Sequence, residues 1–101
     1  MNSSYGGDYI EAVATAYFTK AIVAAQRASH DIAGLRVDAI EVRNVLTSGE
    51  HTLSQFERKR AVRNVETAIK GHNRSLNHIT TFIWAARQAI YNLNNEKEVL
   101  N

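Results

Sequence analysis

The chain has no cysteine and no proline. Without thiols it can hold no disulfide framework, no thiolate zinc site and no cysteine nucleophile. A reducing, cytoplasmic setting fits that composition. No run approaches the roughly 20 apolar residues that a membrane span needs. The opening "MNSSYGGDYIEAVATAYFTKAIVAA" lacks a basic leader, carries Asp8 and Glu11 early and has Lys20 inside its apolar part, so it does not read as a secretory signal. Glycine-rich phosphate loops and Gly-x-Ser-x-Gly elbows are missing too, and no hydroxyl residue comes with a recognisable base and orienting acid.

What remains is 45% hydrophobic and 22% charged over 101 residues, a composition ordinary for a soluble all-helical protein and too apolar for a disordered one. A fold this small is one domain, and it buries only about 60 to 70% of its unfolded surface. The net charge of +2 is too mild to indicate nucleic acid by itself; only its distribution could.

Apolar residues recur at a 3-4 spacing along Phe18, Ala21, Ala25, Ala28, Ile32, Leu35, Ala39, Val42 and Leu46, the pattern of a helical seam. Then comes "TSGEHT". Gly49 suits the position just past a helix C-terminus, and Thr52 with Gln55, or equally Ser54 with Glu57, makes a capping box for a second helix. A second seam follows along Val62, Val65, Ile69, His72, Leu76, Ile79, Ile83, Ala86, Ile90 and Leu93.

The expected fold is therefore all-α: a long antiparallel helical hairpin forming a single domain over 1–101, with a flexible tail over 1–8 and a turn over 47–53. A fold-back near Thr52 sets Ala28 opposite Leu76, Ala25 opposite Ile79, Ala21 opposite Ile83 and Phe18 opposite Ala86. Small meets large, as interdigitating layers require. Gly34 and Gly71 would lie nearly opposite each other, which suggests close backbone approach or a shared kink; a break at Gly71, giving three helices, is the structural alternative.

The first helix carries a second apolar stripe, Ala12, Ala16, Val23, Ala33, Val37 and Ile40. A helix apolar on two sides wants two partners, and the chain supplies only one. The expectation is a homodimer, helix 1 against helix 1, closing a four-helix bundle.

The stretch "KGHNRSLNH" over 70–78 gathers two histidines with a lysine and an arginine. On a helix His72 falls in the seam and His78 elsewhere, so they cannot share a metal from this helix. His72 is expected to meet Asp31 or His30 across the hairpin as a polar seam residue. Glu-x-x-His pairs of the di-metal kind are absent, and neither a metal nor a cofactor is expected.

The outward face of the second helix reads Arg60, Arg63, Thr67, Lys70, Arg74, Asn77, Thr81, Trp84, Gln88, Tyr91 and Asn95, without an acid. A cationic stripe running into aromatics suits phosphates and bases, or an acidic protein surface with Trp84 as anchor. Arg60, Arg63, Lys70, Arg74, Trp84, Gln88 and Tyr91 are the candidate partner-binding residues. The reading is a non-enzymatic adaptor, regulator or inhibitor that self-associates and binds an acidic protein, with nucleic acid as the alternative and no membrane.

Length and hairpin shape resemble those of the small secreted helical proteins that carry a Trp-x-Gly turn, although "TSGEH" stands at that turn here. Arg27 and "ITTFIWAARQAI" resemble, in pattern, the middle arginine and last helix of the all-helical chorismate mutases. That likeness would imply a dicarboxylate substrate gripped by Arg27. Glu11 and Asp38, however, stand near the places of the family's first arginine and lysine, and those acids would repel such a substrate.

Overall fold

The computed structural model describes the backbone over 2–49 and 52–100 and the side chains over 9–49 and 52–95. It contains two long helices, α1 (Asn2–Ser48) and α2 (Gln55–Leu100), folded as a helical hairpin. No strand occurs among the described residues. The fold-back falls between Ser48 and Gln55, as a centre near Thr52 requires; residues 50–51 of the expected turn lie outside the described residues.

The way each helix ends at the turn follows from its local chemistry. At the C-terminus of α1, hydroxyl side chains fold back onto carbonyls of the preceding turn. Thr47 Oγ1 donates to the carbonyls of Arg43 (3.0 Å) and Asn44 (3.1 Å), and Ser48 Oγ donates to that of Val45 (2.9 Å). Gly49 then adopts φ 84°, a left-handed conformation that stops the helix and that glycine enters without strain. On the far side, Ser54 Oγ accepts the amide of Glu57 at 3.2 Å, and the Arg58 amide reaches the Ser54 carbonyl at 2.8 Å. Ser54 is thus the N-cap of α2, the second of the two caps the sequence offers. Glu57, in the first turn, also sets a negative charge against the positive end of the helix dipole.

The backbone of α1 takes in 2–8, the stretch the sequence reading sets aside as a tail. Nothing there forbids helical dihedrals: there is no proline, and Gly6 and Gly7 each lower helix propensity by only about 1 kcal/mol.

The chain divides into two compact units. Ser29–His78 forms one, built around the turn, and Met1–Ala28 with Ile79–Asn101 forms the other. In the turn unit the seam of α2 is as expected, with Val62, Val65, His72 and Leu76 half-buried and Ile69 buried. The seam of α1 differs. Leu35 and Val42 remain 54% and 48% exposed, and Arg36 and Arg43 take the half-buried places beside Ile32, Ala39 and Leu46. A strict 3.5-residue repeat through Ser29, Ile32, Arg36, Ala39, Arg43 and Leu46 explains the exchange, because it leaves Leu35 and Val42 one position off the contact line. Arginine tolerates such a place because its long aliphatic stem packs against apolar neighbours.

The polar pin of this unit also differs from the expectation. Asp31 and His30 are exposed, and among the described residues neither bonds to His72. The cross-hairpin bond runs instead from Arg36 Nη1 to Asn73 Oδ1 at 3.0 Å. Asn73 lies five positions beyond the residue that a fold-back at Thr52 sets opposite Arg36, a gap of roughly 7.5 Å along the axis, which the long side chain bridges.

Gly34 and Gly71 do not mark a close approach. A Cβ placed on either would meet nothing within 4 Å, and α2 continues through Gly71 without a break.

In the second unit, Phe18, Ala21, Ala25 and Ala28 of α1 and Ile79, Ile83, Ile90 and Leu93 of α2 are half-buried as expected. Ala86 is only 1% exposed. Phe18 meets its neighbour Tyr17 edge to face, ring centroids 5.1 Å apart at 66°.

Candidate functional site

The 3.6-residue period that sends Val62, Val65, Ile69 and Leu76 into the seam also turns the residues between them outward. In the turn unit this places Arg60, Arg63, Lys70 and Arg74 on one exposed face of α2. Between them Thr67 Oγ1 folds back onto the Arg63 carbonyl at 3.0 Å, so its hydroxyl is occupied within the helix. Among the described residues no ion pair engages these four cations, leaving them as donors for carboxylate or phosphate oxygens.

In the other unit α2 presents Trp84, Gln88 and Tyr91, all exposed. Trp84 is 64% exposed, so neither Tyr9 nor Tyr17 covers it; both of those rings are themselves exposed. Trp84 and Tyr91 lie two turns apart, roughly 10 Å along the helix. Asn95, the last member of the stripe, turns out half-buried.

The apolar stripe of α1 is divided between the units. Ala12, Ala16 and Val23 are exposed in one, Val37 is exposed in the other, and Ala33 and Ile40 are half-buried there. Ala33 and Ile40 therefore flank the hairpin seam and belong only in part to an outer surface. Arg27 and Asp38, the positions compared with a dicarboxylate-binding helix, are both exposed.

Two features escaped the sequence reading. Phe56 is 75% exposed and lies on the same side of α2 as Lys59, Arg60 and Arg63, the four together outlining an open depression. Its signal was the i, i+4, i+7 spacing to Arg60 and Arg63, masked because Phe56 lies in the first turn of the helix and precedes the charged run. The second is an apolar depression on α1 lined by Val42, Val45 and Leu46 and edged by Asp38 and Glu41. It was hidden by the assignment of Val42 to the seam.

No cluster of three or more histidine, aspartate or glutamate side chains able to hold a metal occurs among the described residues. Among the described residues no helix is long and apolar enough to cross a membrane. No protein-family model matches the chain, and no curated protein or solved structure matches it either.

Proposed function

We propose that this chain is a non-enzymatic, cytoplasmic helical interaction module, acting as adaptor, regulator or inhibitor, that binds an acidic protein partner through the outer face of α2 and pairs with a second copy through α1. The observation that carries the reading is the exposure of an acid-free row of cations, Arg60, Arg63, Lys70 and Arg74, on a helix that also exposes the chain's single tryptophan. Exposed tryptophan and arginine are the residue types that most often anchor interfaces.

The test is capture of a partner from the native host by the wild-type chain, by Trp84→Ala and by Arg63→Ala with Arg74→Ala. Anchoring by Trp84 predicts loss of capture in Trp84→Ala with a weak salt dependence. The basic row also supports nucleic-acid binding as a second reading. In that case affinity falls steeply with salt, and removing Arg63 and Arg74 lowers the slope by about one unit per cation. A bound fraction with a high 260/280 nm absorbance ratio that survives Trp84→Ala would replace the protein-partner reading with that one.

Pairing through α1 has a separate test. Val23 and Val37 are exposed, so Val23→Glu with Val37→Glu leaves the hairpin seam intact while placing charge on the pairing surface. The expected product is a folded monomer; an unchanged folded dimer removes α1 as the interface.

A further inference from the structure

The turn unit carries two open depressions of opposite chemistry. One, of about 380 Å³ on α1, is lined by Val42, Val45 and Leu46 with Asp38 and Glu41. The other, of about 330 Å³ on α2, is lined by Phe56 with Lys59, Arg60 and Arg63. The first is an apolar hollow edged by carboxylates, and the second is an exposed ring edged by cations. Each supplies what the other lacks. In the hollow Leu46 is buried while Val42 and Val45 stay exposed, so apolar surface remains open for a ring to cover.

We infer that these two patches are the halves of one contact between copies of this chain. Phe56 of one copy seats against Val42, Val45 and Leu46 of the next, and Lys59, Arg60 and Arg63 face Asp38 and Glu41. The occupant is a second copy because one sequence holds both the ring and its hollow, each with the matching edge of charge. Complementary charge of this kind steers encounter and fixes orientation, while burial of the ring supplies the attraction.

Helix rotation sets the geometry of the contact. At about 100° per residue, Asp38, Val42 and Val45 fall to the counter-rotated side of the α1 seam, and Phe56, Lys59 and Arg63 fall to the forward-rotated side of the α2 seam. In an antiparallel hairpin those sides form opposite flanks. A copy cannot offer both patches to the same neighbour, so the contact is head-to-tail and adds copies one after another, unlike a two-fold pairing through Val23 and Val37, which closes on itself. Arg60 and Arg63 also belong to the proposed partner surface, so self-association and partner binding exclude each other at the turn end of α2. The experiment uses the purified chain alone, and its outcome is therefore independent of whether a partner exists.

The test is sedimentation velocity of the nuclease-treated chain from micromolar to submillimolar concentration, with two variants that invert charge on exposed residues. Asp38→Lys with Glu41→Lys makes both patches basic; Arg60→Glu with Arg63→Glu makes both acidic. Wild-type mass is expected to rise with concentration and to rise less at high salt. Each variant alone should associate at least about tenfold more weakly while keeping its helical circular dichroism. An equimolar mixture of the two should regain growth, because the inverted hollow of one fits the inverted cationic edge of the other. Phe56→Ser should lower association without altering its salt dependence. Wild-type mass that stays flat, variants that grow as the wild type does, or a mixture that fails to regain growth would each overturn the proposal.

Discussion

Arg36 of α1 donates from Nη1 to Oδ1 of Asn73 on α2 at 3.0 Å, while its Nε is buried without a partner. The bond ties the two helices of the turn unit through a half-buried guanidinium that is only partly satisfied. Such a group favours one alignment of the helices at a cost in stability. A double-mutant cycle on Arg36→Met and Asn73→Ala should give a coupling of about 0.5 to 1.5 kcal/mol. The cycle also cancels the helix-propensity gain of placing alanine at 73. Arg36→Met alone should leave stability unchanged or raise it by about 1 kcal/mol, measured by urea unfolding. A loss of several kcal/mol would show the charge to be better satisfied than its geometry indicates.

The two ends of the turn predict a contrast between neighbouring hydroxyl residues. Ser54→Ala removes the acceptor of the Glu57 amide and should cost about 1 kcal/mol, a fall in midpoint of roughly 4 to 8 °C for a chain this size. Thr52→Ala should be neutral to within about 0.5 kcal/mol. Thermal melts followed by circular dichroism decide it; equal losses would mean that both residues cap α2.

Glycine to alanine changes should split by sign. At Gly34 and Gly71 nothing lies within 4 Å of the added methyl and the backbone is helical, so each substitution should stabilise by about 0.5 to 1 kcal/mol. At Gly49, with φ 84°, alanine should destabilise by about 1 kcal/mol. Chemical unfolding of the three single variants tests this, and a loss at Gly71 would reveal a packing contact there.

Trp84→Ala should leave folding stability within about 0.5 kcal/mol of wild type, because the side chain is 64% exposed. Unfolding curves that overlay, together with lost partner capture, separate a binding role from a structural one. A large drop in stability would place Trp84 in the packing of the hairpin.

The seam of α2 could be read from the sequence because its aliphatics fall on one side; every expected position from Val62 to Leu93 is at least half-buried. α1 was harder. It is apolar on several sides, so from Ile32 onward the choice between Leu35 and Arg36, and again between Val42 and Arg43, cannot be made on hydrophobicity. Only the packing partner decides, and it selects arginine twice. The same ambiguity hid the acid-edged hollow beside Val42. On α2 the clear division between seam and surface made Arg60, Arg63, Lys70, Arg74 and Trp84 legible as exposed.

The turn unit, Ser29–His78, is one unbroken length of chain, whereas the other unit joins two segments with all of that length between them. Bringing Met1–Ala28 against Ile79–Asn101 means closing a loop of about 50 residues, an entropic cost that the local turn at Gly49 does not bear. Folding is thus expected to start where Ser54 and Gly49 reverse the chain and to zip toward the chain ends, with local contacts forming ahead of distant ones. Opening runs in the reverse order, so amide protons of Phe18 and Ile83 should exchange sooner than those of Ile69, and the far unit is where a protease would gain entry first.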